Sequence, residues 1–204
     1  WGTTQYIYDL RQGAASDHAL VSIGYPGGTH RYFEYDDQGR LVREYKDGSV
    51  GMVSYTYDTA GGVSITDATG ESTIILFNNN GRLGQIQDAL ARSTRFRYDE
   101  IGNPVLMALP GDLEYTFEYD DQGNVTSRVD PLGNRVDLTY DPVFSRLLSV
   151  SDERSNVTRY TYEDKGNLIR ITYPNGTSQQ VSYDVLGNIE ESINARGHAI
   201  HYTY

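Results

Sequence analysis

The four histidines are His18, His30, His198 and His201. The last two stand three apart, a spacing that brings two ligands together on a helix but sends them to opposite faces of a strand. With no carboxylate cluster beside them, they are expected to face solvent rather than a metal. Adjacent acidic residues occur at Asp36-Asp37, Asp120-Asp121 and Glu190-Glu191. A glycosidase needs one carboxylate pair at a set separation in one cleft. These pairs recur in equivalent places along the chain, where an aspartate side chain would bond the backbone that follows it in a turn. No serine lies in a Gly-x-Ser-x-Gly elbow. The richest glycine cluster, Gly24-Tyr25-Pro26-Gly27-Gly28-Thr29, opens no helical pattern of the kind a phosphate loop requires. Three Asn-x-Thr sequons, at Asn124, Asn156 and Asn175, fall in hairpin-type sequence where both residues are common. Together these readings predict no catalytic residue, no metal and no cofactor, and they single out no binding residue. Stacking of sugars on tyrosine rings is the one surface chemistry left as an alternative.

The elements that would position these residues are set by a repeat. An aromatic marker precedes an acidic or amide residue at Tyr8, Tyr35, Tyr57, Phe77, Tyr98, Tyr119, Tyr140, Tyr162 and Tyr183, and Tyr204 ends the series. After a first interval of 27, the spacings are 22, 20, 21, 21, 21, 22, 21 and 21 residues. A constant period of this size marks a repeat architecture. Two residues before each marker stands a second large or β-branched side chain, such as Phe33, Tyr55, Phe96, Phe117 or Tyr160, so both point to one face of a strand. Polar residues such as Thr116, Glu118 and Thr161 take the other face.

Past the marker, Asp or Asn and then Gly39, Gly61, Gly81, Gly102, Gly123, Gly166 or Gly187 predict a hairpin turn, with glycine supplying a positive φ. Return strands are expected to start at Leu41, Val63, Leu83, Val125, Leu168 and Ile189. They end at second turns such as Asp130-Pro131-Leu132-Gly133 and Pro174-Asn175-Gly176. Each repeat is therefore one hairpin, and the series makes a meander of about eighteen strands, enough for the sheet to wind. Three irregularities are expected: a longer loop over 12–19, a glycine-free turn after Tyr140, and Pro104 as the first residue of a strand. Equivalent markers, from Tyr98 to Tyr183, are expected to stack in a ladder.

Composition agrees with a thin sheet. Exchanging 18 tyrosines for 21 glycines leaves the apolar share at about 39–40%, under the usual 45–50%. A net charge of −11 argues against nucleic acid and anionic membranes as partners. The chain has no cysteine, which excludes a disulfide scaffold and a cysteine nucleophile. No run reaches the length of a membrane-spanning helix and no leader pattern is visible.

Units such as Phe117-Glu118-Tyr119-Asp120-Asp121-Gln122-Gly123-Asn124-Val125 and Tyr160-Thr161-Tyr162-Glu163-Asp164-Lys165-Gly166-Asn167-Leu168 resemble the tyrosine-aspartate (YD) repeats of Rhs proteins, of the BC components of bacterial ABC toxins and of teneurins. The resemblance runs from about Tyr6 to Tyr204. It implies an all-β strip of hairpins that spirals into a hollow shell, which encloses a C-terminal toxin in bacterial members and supports adhesion in teneurins. The family's self-cleaving closing region has no match here, so cleavage and toxicity are not carried over. The expected reading is a single YD-repeat array over 1–204, of about nine repeats, cut from a larger exported or surface protein. Its expected partners are the rest of its own polypeptide and an enclosed toxin, with self-association through free strand edges. The alternative is an adhesive repeat surface that binds a protein or glycan.

Overall fold

The computed structural model describes residues 2–10 and 15–204. The predicted loop over 12–19 therefore lies partly outside the described residues. The strands are β1 (Gln5–Tyr8), β2 (Leu20–Gly24), β3 (His30–Tyr35), β4 (Leu41–Lys46), β5 (Val50–Tyr57), β6 (Val63–Thr66), β7 (Ser72–Phe77), β8 (Leu83–Gln87), β9 (Ser93–Tyr98), β10 (Pro104–Leu109), β11 (Leu113–Tyr119), β12 (Val125–Val129), β13 (Arg135–Tyr140), β14 (Leu147–Ser151), β15 (Val157–Tyr162), β16 (Leu168–Thr172), β17 (Ser178–Tyr183), β18 (Ile189–Ile193) and β19 (Ala199–His201). The only helical element among the described residues is one 3-10 turn at Asp47–Ser49. The fold is all-β, as the alternation of side chains demands. Every return strand starts where expected, including β10 at Pro104. The nineteenth strand pairs antiparallel with β18.

The chain divides into two compact units, Trp1–Phe96 and Arg97–Tyr204, the boundary falling inside β9. Within each unit consecutive strands pair antiparallel in chain order, as in β3 with β4 and β4 with β5, or β11 with β12 and β12 with β13. Odd-numbered strands carry the markers and even-numbered strands return. At most marker turns the register slips by one residue: Glu118 pairs Ser127 whereas Tyr119 pairs Val125, and the same slip recurs at Tyr140, Tyr162 and Tyr183. Each slip is a β-bulge, which adds local twist.

One turn design serves both ends of the hairpins. At Asp120 the backbone N–H bonds the Asn124 carbonyl at 3.0 Å, and Gly123 N–H returns to the Asp120 carbonyl at 3.0 Å. The Asp120 carboxylate accepts from the N–H groups of Gln122 and Asn124 at 3.0 and 2.9 Å. Gly123 holds φ 83°. The design repeats at Asp130, with Gly133 at φ 83°. Where glycine is missing, another residue takes the left-handed position: Ala91 at φ 60°, Ser155 at 62° and Ser145 at 53°.

Left-handed backbone costs a residue with a Cβ about 1 kcal/mol or more. A Cβ on Gly133 meets nothing within 4 Å, so strain alone would act there. Gly133→Ala is therefore expected to lose about 1 kcal/mol and Ala91→Gly to gain about as much, read as opposite shifts of the urea midpoint. Shifts of the same sign would contradict the assignment.

The two faces of the sheet differ. On the marker face of the second unit, Leu138 pairs Val150, Tyr160 pairs Ile171, and Tyr162 pairs Leu168. On the other, Glu118, Ser127 and Asp137 stand in a row, as do Thr139, Ser149, Arg159 and Thr172. Among the described residues no apolar side chain is fully buried; the most buried residue is Ser127, at 2% exposure. Arg135 lies along that row, bonding Glu118 at 3.0 Å and Asp137 at 2.7 Å. This is a one-layer sheet, held by ladder bonds and half-buried rings rather than by a core.

Candidate functional surface

The residues weighed for catalysis are dispersed. His18 faces Asp17 at 3.2 Å, His30 faces Asp47 at 3.1 Å, and His201 faces Glu191 at 3.4 Å, so no two histidines share a partner. His198 sits in a turn, its N–H bonded to Asn194. No group of three metal-ligating side chains occurs among the described residues. Of the acidic pairs, Asp36 and Asp120 each clasp their own turn while Asp37 and Asp121 point to solvent. Glu190 is exposed at a bulge and Glu191 meets His201.

What the geometry does build is a row of stitches. The Tyr35 hydroxyl donates to the Leu20 carbonyl at 2.9 Å, Tyr57 to Leu41 at 2.8 Å, Tyr119 to Pro104 at 2.9 Å, Tyr162 to Leu147 at 3.0 Å and Tyr183 to Leu168 at 3.0 Å. Every acceptor is the first residue of the preceding return strand. Each of these five markers thus bonds its own hairpin to the one before it. This corrects the expected ladder. Equivalent markers lie two strands apart, about 10 Å, beyond the roughly 4.5–7 Å of a ring pair. Among the described residues the stacked ring pairs are His30 with Tyr32, two residues apart on β3, and Tyr32 with Tyr45 on the adjacent β4. Burial of the rings raises the phenol pKa of Tyr35, Tyr119 and Tyr140.

The turns supply a second stitch. In several of them an asparagine side chain bonds back to the turn carboxylate: Asn103 to Asp99, Asn124 to Asp120 and Asn188 to Asp184. In three, arginine takes that place, and two of the three reach further. Arg40 pairs with Asp36 at 2.7 Å and lies 4.3 Å over the ring of Tyr57, the marker of the next hairpin. Arg146 pairs with Asp141 and lies 5.1 Å over Tyr162. Each such cation–π contact contributes about 0.5–1 kcal/mol at a surface.

The turn carboxylates are held below the ordinary range. The Asn124 side chain and then the backbone N–H groups lower Asp120; Asn134, Asn156 and Asn188 do the same for Asp130, Asp152 and Asp184. A carboxylate depressed in the folded state stabilises above its unfolded pKa, and that contribution is lost as pH falls through the depressed value. The raised tyrosines stabilise fully below the unfolded pKa of about 10 and cease to as pH rises through their raised values. Urea midpoints are expected to be flat between about pH 5 and 9 and to fall on both sides. A midpoint unchanged down to about pH 2.5 would contradict the carboxylate clasps.

A bonded strip of YD hairpins is the geometry against which known proteins can be compared. The teneurin YD-shell family matches residues 33–204. The chain belongs to this family. A probable deoxyribonuclease, RhsB, of Dickeya dadantii is 29% identical over 194 residues, covering 94% of this chain and 13% of that protein. Human teneurin-1 is 32% identical over 101 residues, 49% of this chain and 4% of its own length. Among solved structures, the TcdB2-TccC3-Cdc42 crystal structure shares the fold with a TM-score of 0.58 at 14% identity, over 94% of this chain and 13% of its own. The chain spans about an eighth of the length of RhsB and of that structure. As a YD-shell member it is a structural segment of shell type, and the nuclease in the name of RhsB is said of that whole protein.

Sequence reasoning found the markers, the glycine turns and the return strands. It missed the hydroxyl stitch, although the signal was there: a constant offset of 15 or 16 residues from each marker back to a strand start. It also missed the two arginines.

Proposed function

We propose that this chain is a non-catalytic wall segment of a shell that encloses the C-terminal toxin of its own exported polypeptide. The observation that carries the reading is the stitch: ladder bonds between successive strands, reinforced by five tyrosine hydroxyl bonds, join the hairpins in a sheet that has no fully buried apolar side chain among the described residues, so the fold's product is a continuous surface. Relatives named as toxins, such as the toxin protein Tse5 of Pseudomonas aeruginosa, 29% identical over 87% of this chain, support an enclosed toxin. They also favour export. The test is limited proteolysis of the full parent polypeptide, intact and with the repeat Asp120 to Tyr140 deleted. The enclosed segment is expected to resist protease in the first and to be cut faster in the second. Equal cutting rates in both would overturn the reading.

The adhesive alternative has one foothold, the row His30, Tyr32 and Tyr45, whose rings stack at 5.9 and 5.3 Å beside Asp47. Binding on a glycan array, lost in Tyr32→Ala, would favour it.

A further inference from the structure

Two tyrosines of the first unit stand ring to ring on the polar face of the sheet. Tyr32 on β3 pairs Tyr45 on β4, and their ring centroids lie 5.3 Å apart at an interplanar angle of 26°. Each hydroxyl donates to its own carboxylate: Tyr45 to Glu34 at 2.9 Å and Tyr32 to Asp47 at 3.2 Å. The carboxylates are held in place, Asp47 by the His30 N–H at 2.7 Å and Glu34 by Arg43 at 2.7 Å. Both rings are half-buried, so a small oxidant can reach them. The other tyrosine bonds differ. The hydroxyls of Tyr35, Tyr57, Tyr119, Tyr162 and Tyr183 donate to backbone carbonyls, which take no proton. Tyr55 donates to Glu44 at 3.3 Å, but on the opposite face of the sheet from this pair.

We propose that Tyr32 and Tyr45 form an oxidative cross-linking site, at which a peroxidase-type one-electron oxidant with hydrogen peroxide joins the two rings as dityrosine. A phenol gives up an electron readily when a positioned base takes its proton in the same step, and here each phenol already holds such a base. Each ring loses one electron to the oxidant and its hydroxyl proton to its carboxylate. The two radicals then combine in a carbon–carbon bond between positions ortho to the hydroxyls. The ortho hydrogens move to the oxygens and restore both phenols, while the hydrogen peroxide takes up both electrons and both protons as water. Directly opposed side chains on neighbouring strands stand about 5 Å apart at Cβ, close enough for such a bond. Side chains open to solvent turn within nanoseconds, so the stacked rings reach the twisted geometry of the product. The result is a covalent staple across β3 and β4 in a chain with no cysteine, and it constrains the unfolded state as a disulfide does.

The test is oxidation of the 204-residue chain, kept dilute, with a peroxidase and hydrogen peroxide, followed by dityrosine fluorescence and tandem mass spectrometry of the digest. A bond between Tyr32 and Tyr45 within one molecule is expected as the main product. Tyr32→Phe and Tyr45→Phe each keep the ring, so folding should survive and can be checked by far-UV circular dichroism, and each is expected to lose this cross-link. Glu34→Gln keeps a hydrogen-bond acceptor but removes the base. It should slow the reaction several-fold, a readout that a merely structural Glu34 would not move, and it keeps the test decisive if a tyrosine variant fails to fold. Cross-links spread over the most exposed tyrosines, such as Tyr6 at 57% and Tyr204 at 84% exposure, would overturn the proposal. So would cross-links formed only between molecules, or a rate unchanged in Glu34→Gln.

Discussion

Deleting the 21 residues Asp120 to Tyr140 is expected to leave a folded protein, whereas deleting the 11 residues Asp120 to Asp130 is expected to unfold the second unit. The whole-repeat deletion removes β12 and β13 with both their turns. Tyr119 then runs into Asp141, and β11 meets β14 in the direction and on the face that β13 used. In a repeat protein such a change removes one intrinsic contribution and one interface. The half-repeat deletion removes one strand and one turn, so every later strand must run the opposite way. Its side-chain register then no longer matches its neighbour. Urea midpoints should separate the two variants widely; comparable midpoints would show that the hairpin is not the unit of this fold.

The second large effect concerns the tyrosine hydroxyls. Replacing Tyr35, Tyr57, Tyr119, Tyr162 and Tyr183 together by phenylalanine keeps every ring and removes five hydrogen bonds between successive hairpins. At about 1 kcal/mol each the combined loss is about 5 kcal/mol, since sites in different repeats add. A loss of that size rivals the whole stability of an ordinary domain, about 5–15 kcal/mol. Single truncations should be graded by place. Tyr119→Ala loses ring packing and a stitch and is expected to cost about 3 kcal/mol or more. Tyr8, 49% exposed on β1, should cost far less. Equal and negligible losses for the five phenylalanines and for Tyr119→Ala would show that the markers do not join the repeats.

Much of this fold was legible because its signals are local. A glycine four residues past an aromatic, with Asp or Asn between, names a turn by backbone chemistry alone, and Gly39, Gly123 and Gly187 all hold the predicted positive φ. Ala91, Ser145 and Ser155 were not legible in this way. They take the same conformation without the residue type that announces it, forced there by strands already paired on either side. The ladder failed for a related reason. Facing alike was correctly inferred, but the distance between equivalent residues is set by the strand spacing, which leaves room for a hydroxyl to span and not for rings to stack. The surface chemistry was legible mainly as exclusion: the acidic pairs repeat where turns need them, and the structure puts Asp36 and Asp120 to that use.

The central claim, that this chain is part of a shell wall, is tested most directly by electron microscopy of the full parent polypeptide with the 204 residues located in the map. The account predicts a hollow particle in whose one-layer wall these hairpins lie, with density for further polypeptide inside. A solid particle, or these residues forming a separate body outside any enclosed space, would contradict it.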